Sequence, residues 1–196
     1  TYRLAKGSKG ELGAIKVVET EWDKVTEHLF APNQTLKKNP VMHSDMDYDS
    51  YCIVRVQIPV IEAKANIDAD NSSLFGTDIN DGTTLAKMAG VKLKYGDNLY
   101  FNSNDFTDIT GQDIQELVDN AQVGDKISLY FMYNDILYAG SDTTAIFDSI
   151  QAPDYSEISN VSRYSVDVDA YAIQSEGYTK DTAKQTLMSE IEETNK

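Results

Sequence analysis

A zinc hydrolase needs two imidazoles one helical turn apart, with a carboxylate between them as general base. The only histidines in this sequence, His28 and His43, lie too far apart to form that motif. His28 follows Glu27 and could join a metal site only if separate segments assembled it; the plainer reading is a surface histidine. Carboxylates give a better metal signal. Asp45, Asp47 and Asp49 alternate, as do Asp68, Asp70 and Ser72, and calcium takes oxygen ligands of this kind. Both clusters miss the calcium-loop pattern. Ser50 and Ser73 stand at the sixth position, where glycine makes the turn, and Val56 and Ile79 at the twelfth, where a bidentate Glu closes the site. Asp45, Asp47, Asp49, Asp68 and Asp70 are thus weak candidates for a structural calcium, weighed against solvated turn acids.

Other chemistry finds less. Ala139-Gly140-Ser141-Asp142 lacks the second glycine of a nucleophile elbow, and no glycine-rich loop ends in Lys-Ser/Thr. Asp167 and Asp169 would share a strand face, but such pairs arise by chance in so acidic a chain. Cys52, the single cysteine, sits between Tyr51 and Ile53 in an apolar run and reads as a buried, inert thiol. These residues assign no catalytic or cofactor-binding role, and the expectation is a protein that is not an enzyme.

The 196 residues suffice for one large domain with its own core. Against 32 Asp+Glu stand 17 Lys+Arg, and the net charge of -15 disfavours nucleic acid and anionic membranes as partners. No stretch approaches the ~18 uninterrupted apolar residues of a membrane span. The start at Thr1 and not at Met suggests removal of a leader or an anchor.

The elements that would carry any site are mostly strands. Thr1–Gly13, with Gly7, Gly10 and Gly13 among basic residues, reads as a flexible arm. Ala14–Glu21 reads as a first strand ending near Trp22-Asp23. From Tyr51 to Ile58 the alternation predicts a half-buried strand closed by Pro59, with Val54 and Val56 inward and Arg55 and Gln57 wetter. Ala63–Gly111 is the hardest stretch. Short strands and one irregular excursion are expected there, with a helical turn over Thr84–Ala89. Val91–Tyr95 and Leu99–Phe101 should flank a turn at Gly96-Asp97-Asn98. Thr110 and Asp113 space a capping hydroxyl and an acid before Ile114, Leu117, Val118 and Ala121, which predicts a helix over Asp113–Ala121 ended by Gly124. Lys126–Tyr133 and Ile136–Ala139 read as a hairpin across Asn134-Asp135, and Thr143–Ile150 as a further strand. Tyr164, Val166, Val168, Ala170 and Ala172 line one face of a long strand, with Asp167 wetter. Ala183, Leu187, Met188 and Ile191 then predict an amphipathic helix over Thr179–Glu193.

Many strands, few helices and no βαβ alternation predict an all-β, antiparallel, jelly-roll-like sandwich with one or two short accessory helices. Residues 1–13 form the arm, 14–178 the sandwich, and 179–196 the terminal helix and tail. Tyr95, Tyr100, Phe101 and Phe106 read as core packing before they read as a glycan- or protein-binding surface.

Three segments carry a family likeness. One runs from Gly13 to Trp22-Asp23, with alternating aliphatics. Another joins Pro32 through Pro40-Val41 to Asp49 through Pro59, with Asn33 at the place of a turn glycine. The third joins Leu137 through Asp148 to Val166 through Ala170-Tyr171-Ala172-Ile173-Gln174 and Gly177-Tyr178. Together they resemble the TasA/camelysin family of secreted bacterial proteins; Ala63–Gly111 is unmatched. The resemblance implies a jelly-roll sandwich, export, residence at the cell surface or in extracellular matrix, and self-association, in some members into biofilm fibres. The arm would then donate a strand to a neighbour, Leu4 and Leu12 supplying register. Camelysin-type members have been classed as metallopeptidases, which makes a surface metallopeptidase the rival expectation, with a glycan- or protein-binding module behind it.

Overall fold

β-branched and aromatic residues dominate Tyr51–Ile58, and they form the first half of a strand that runs on through Pro59: β5, Ser50–Ala65. The computed structural model describes residues 4–8, 14–19, 31–68, 71–159 and 165–194. Trp22, Asp23, His28, Asp70 and Tyr164 lie outside them, as do Thr1–Arg3 and Lys9–Gly13 of the expected arm. Around β5 the chain orders as β1 (Leu4–Ser8), β2 (Ile15–Val18), β3 (Thr35–Lys37), β4 (Val41–Ser44), α1 (Ser72–Phe75), β6 (Leu85–Ala89), β7 (Lys92–Lys94) and β8 (Phe106–Asp108). There follow α2 (Ile114–Asp119), β9 (Lys126–Tyr133), β10 (Ser149–Gln151), β11 (Tyr155–Ser159), β12 (Asp167–Gln174) and α3 (Lys180–Thr194).

The main sheet runs β1-β12-β5-β9-β8, with β6 and β11 pairing the far half of β5, and every pairing is antiparallel. A three-stranded sheet β3-β10-β7 and the pair β2-β4 complete the strands. Ile15, Val17 and Met42 from the small pair, with Leu93, Ile150 and Val166, meet Val54, Val56, Leu129, Phe131 and Val168 from the main sheet in one core. Each such aliphatic side chain contributes roughly 1.5–3 kcal/mol by leaving water. The fold is therefore an all-β sandwich with short helices, as its alternation predicts. No helix of the described residues is long and apolar enough to cross a membrane.

The strand end expected at Pro59 is corrected. Before it, β5 pairs β12 and β9; after it, β5 pairs β6 and β11. A residue without an N–H costs no ladder bond where the partners change. The carbonyl of Pro59 still accepts from Gly90 N at 2.8 Å. Arg55 is corrected too: it is 7 % exposed, while Gln57 and Asp167 are partly exposed as expected. The second face of β5 is roofed by α3, whose Ala183, Leu187 and Ile191 pack on Ile53, Met132, Tyr171 and Ile173. Beneath that roof Arg55 donates to its cross-strand neighbour Asp169 at 2.6 Å, and its guanidinium lies 5.5 Å from the Tyr171 ring.

Helix α3 starts where Thr179 and Thr182 cap each other, each hydroxyl accepting from the other's backbone N–H. Helix α2 is capped by Asp113, which accepts from Glu116 N at 2.8 Å; the Thr110 hydroxyl instead accepts from Tyr130 N on β9. Its helical residues stop at Asp119, before Gly124.

Three local expectations give way to longer-range pairing. Thr84–Ala89 contains strand β6, because Leu85–Ala89 finds an edge on β5. After Asn134-Asp135 the chain does not fold back on β9; Leu137 bridges Ser50, continuing alongside β5, and neither turn residue takes the positive φ of a tight hairpin. Of the expected strand Thr143–Ile150 only Ser149 and Ile150 fall in a strand, β10, since Thr143 is spent on Met42. Cys52 is fully buried, and that burial pushes its thiol up to about 12, as an inert core cysteine requires. Phe106 is buried, and the half-buried Tyr100 and Phe101 pack against the core with Phe131, so these three contribute to the core.

Candidate assembly edge

The first described residues correct the expectation of a flexible arm. Leu4–Ser8 forms β1, paired antiparallel with β12 from Leu4↔Ile173 to Ser8↔Asp169. β12 is bonded to β5 on its other side, so among the described residues β1 is the sheet's outermost strand on this flank. Side chains alternate across it: Ala5 packs on the core and Gly7 is buried, whereas Leu4 is 36 % exposed and the Lys6 ammonium sits 5.8 Å over the Tyr171 ring. The register residues are therefore the small ones, Ala5 and Gly7, and not Leu4; Leu12 lies outside the described residues.

Gly7 is fixed by close approach. A Cβ there would lie 1.8 Å from the carbonyl oxygen of Ile15 and 2.6 Å from its carbon, both backbone atoms of β2. Only a methyl and a hydrogen turn inward, worth about 0.8 kcal/mol for a group the size of a methylene, and Leu4 on the other face is partly covered at 36 % exposed, so apolar burial adds modestly to the ladder. The attachment of β1 rests mainly on that backbone ladder.

The histidine that sequence reading sets aside proves to be well connected. His43, on β4, is held between two carboxylates: Nδ1 bonds Asp142 and Nε2 bonds Asp45 at 2.9 Å, while the other oxygen of Asp45 meets Lys16 at 2.6 Å. Thr143 and Ser141 bond the backbone of Met42 and Ser44, so this array ties the 141–143 loop onto β4. Both ring nitrogens donate only in the imidazolium. The hydrogen bond to Asp142, more than that to Asp45, holds the His43 pKa above its ordinary value despite some desolvation. A raised folded-state pKa contributes stability that is complete below the unfolded value of about 6.5 and is lost as pH rises through the folded value. Thermal melts should therefore show the protein losing stability relative to a His43→Gln variant between pH 6 and 8. The difference should stay below about 1 kcal/mol, because the ring is 31 % exposed and solvent screens it. Parallel pH profiles for the two proteins would contradict this.

The calcium candidates are not brought together. Asp45 is taken by His43 and Lys16, with Lys16 the main cause of its lowered pKa; Asp49 accepts from Ala139 N; Asp47 and Asp68 are exposed. Among the described residues no three His, Cys, Asp or Glu side chains are grouped as a metal would require. A groove of 590 Å³ lined by Tyr51, Tyr133, Tyr138, Asp135 and Lys180 draws on segments far apart in the chain. No local spacing signals it.

No protein-family model matches the chain, and neither a curated protein nor a solved structure does.

Proposed function

We propose that the protein is a secreted bacterial cell-surface or extracellular-matrix structural protein, adhesive in role, that self-associates by exchanging its N-terminal strand between copies. The observation that carries this reading is the attachment of β1: an outermost strand with small inward residues, held by backbone bonds that a second copy can supply equally well. A strand given to one neighbour while another is accepted is a head-to-tail contact, which need not close and so propagates. The TasA/camelysin-like segments support the same reading, since fibre formation is what that resemblance implies. Hydrolysis gains no support from His43, whose two ring nitrogens are both engaged by carboxylates.

Removing residues 1–13 tests the proposal. The net charge of -15 opposes contact between copies at low salt, so light scattering of the full chain should show large species growing as salt screens the repulsion. The truncated chain should stay monomeric throughout. Equal growth with and without the segment would overturn the exchange.

A further inference from the structure

A second site is independent of the assembly edge, as no residue that lines it belongs to β1 or β12. Lys92, the first residue of β7, is only 9 % exposed, and its ammonium lies 5.7 Å from the Phe75 ring centroid. Among the described residues it makes no hydrogen bond or ion pair. It faces a 350 Å³ pocket whose wall is rich in carboxamides, those of Asn33, Asn66, Asn71 and Gln151. Two of these are already oriented, Gln151 Nε2 donating to Asn33 Oδ1 at 2.7 Å, and Gln151 is the cross-strand partner of Lys92. Asp68 and Asp154 line the same pocket and are exposed. The Lys92 side chain is thus mostly buried, Asn71 and Gln151 are half-buried, and Asn33 and Asn66 are exposed like the two carboxylates.

An ammonium held mostly out of water beside an apolar ring lowers stability unless an acceptor reaches it. Desolvation, with the nearby charge of Lys94, pushes the Lys92 pKa down against the opposing pull of Asp68. An acceptor entering the pocket relieves that strain. An inorganic polyanion fits poorly, because the shallow carboxylates and the charge of -15 repel it. A single carboxylate that leads the way in and trails hydrogen-bond donors matches every group present.

We propose that this pocket binds a small carboxylate ligand, its carboxylate on Lys92 and its hydroxyl or amino groups on the carboxamides, Asp68 and Asp154. That chemistry belongs both to a uronic acid and to a free amino acid. Titration of the full-length ¹⁵N-labelled chain with galacturonate, with glutamate, and with the methyl ester of galacturonate distinguishes them. One of the two acids should shift the amide signals of Asn33, Lys92 and Gln151, and if that acid is galacturonate its ester should bind at least about tenfold more weakly. Lys92→Met should lose the response and melt higher than the parent, an apolar chain of similar length having replaced an unpartnered ammonium. Failure of both acids to bind, equal binding by the ester, or unchanged binding by Lys92→Met would overturn the proposal.

Discussion

A chain carrying Val54→Asp is expected to be unfolded at room temperature. Val54 is 0 % exposed and sits in the middle of β5, opposite Ala170 on one side and Phe131 on the other. With strands on both flanks it has no freedom to turn outward. The substitution forfeits roughly 1.5–3 kcal/mol of apolar burial. It also places a carboxylate where no cation reaches it, at a cost of several kcal/mol more. Domains of this size are stable by about 5–15 kcal/mol, so the sum removes most or all of the margin. Circular dichroism should show loss of the β spectrum, whereas Val54→Ala should fold with a penalty of about 2 kcal/mol. A cooperative melt of Val54→Asp within a few degrees of the parent would mean that this face of β5 is not core.

Gly7→Val is expected to release β1 without unfolding the sandwich. The atoms that a Cβ would meet are the backbone carbonyl of Ile15, so no side-chain rotation relieves the clash. Hydrogen exchange should show the amides of Leu4–Ser8 falling to open-chain rates while those of β5 and β9 keep their protection. Because a donated strand would meet the same carbonyl in a neighbour, salt-induced assembly should fall to the level of the truncated chain. Protected β1 amides in the variant would contradict the close approach, and undiminished assembly would contradict the proposed exchange.

What the sequence revealed and what it hid follow one division. Periodic burial against a single layer was readable: Val166 just before β12, Val168, Ala170 and Ala172 on β12, and Ala183, Leu187 and Ile191 on α3, are buried as their spacing predicts. Arg55 was misread because alternation reports only that a strand has two faces, and a helix from the far end of the chain covers the second. Pro59 was misread because a proline that ends one pairing also permits a change of partners, and only the partners decide which. Leu85–Ala89 is too short to separate a turn of helix from a strand without knowing that β5 offers it an edge. The contacts of His43 lay further out of reach, since Asp142 is 99 residues away. Glu19 and Lys38, which pair at 2.7 Å with both side chains nearly inaccessible, are likewise ordinary surface types until the fold closes over them. Of the assembly edge, the glycine content of the first residues was visible, but it signalled flexibility where Gly7 provides room for a neighbouring backbone.

The central claim is that β12 accepts this N-terminal strand from outside its own chain, and it is tested most directly by supplying the strand as a peptide. A fluorescent peptide of residues 1–13 is titrated with the chain that lacks them, after circular dichroism has shown that chain to be folded, and anisotropy is read. Saturable binding, displaced by unlabelled peptide and absent when the peptide carries Gly7→Val, is the predicted result; a folded acceptor that leaves the anisotropy unchanged, or binds the Gly7→Val peptide equally well, would contradict it.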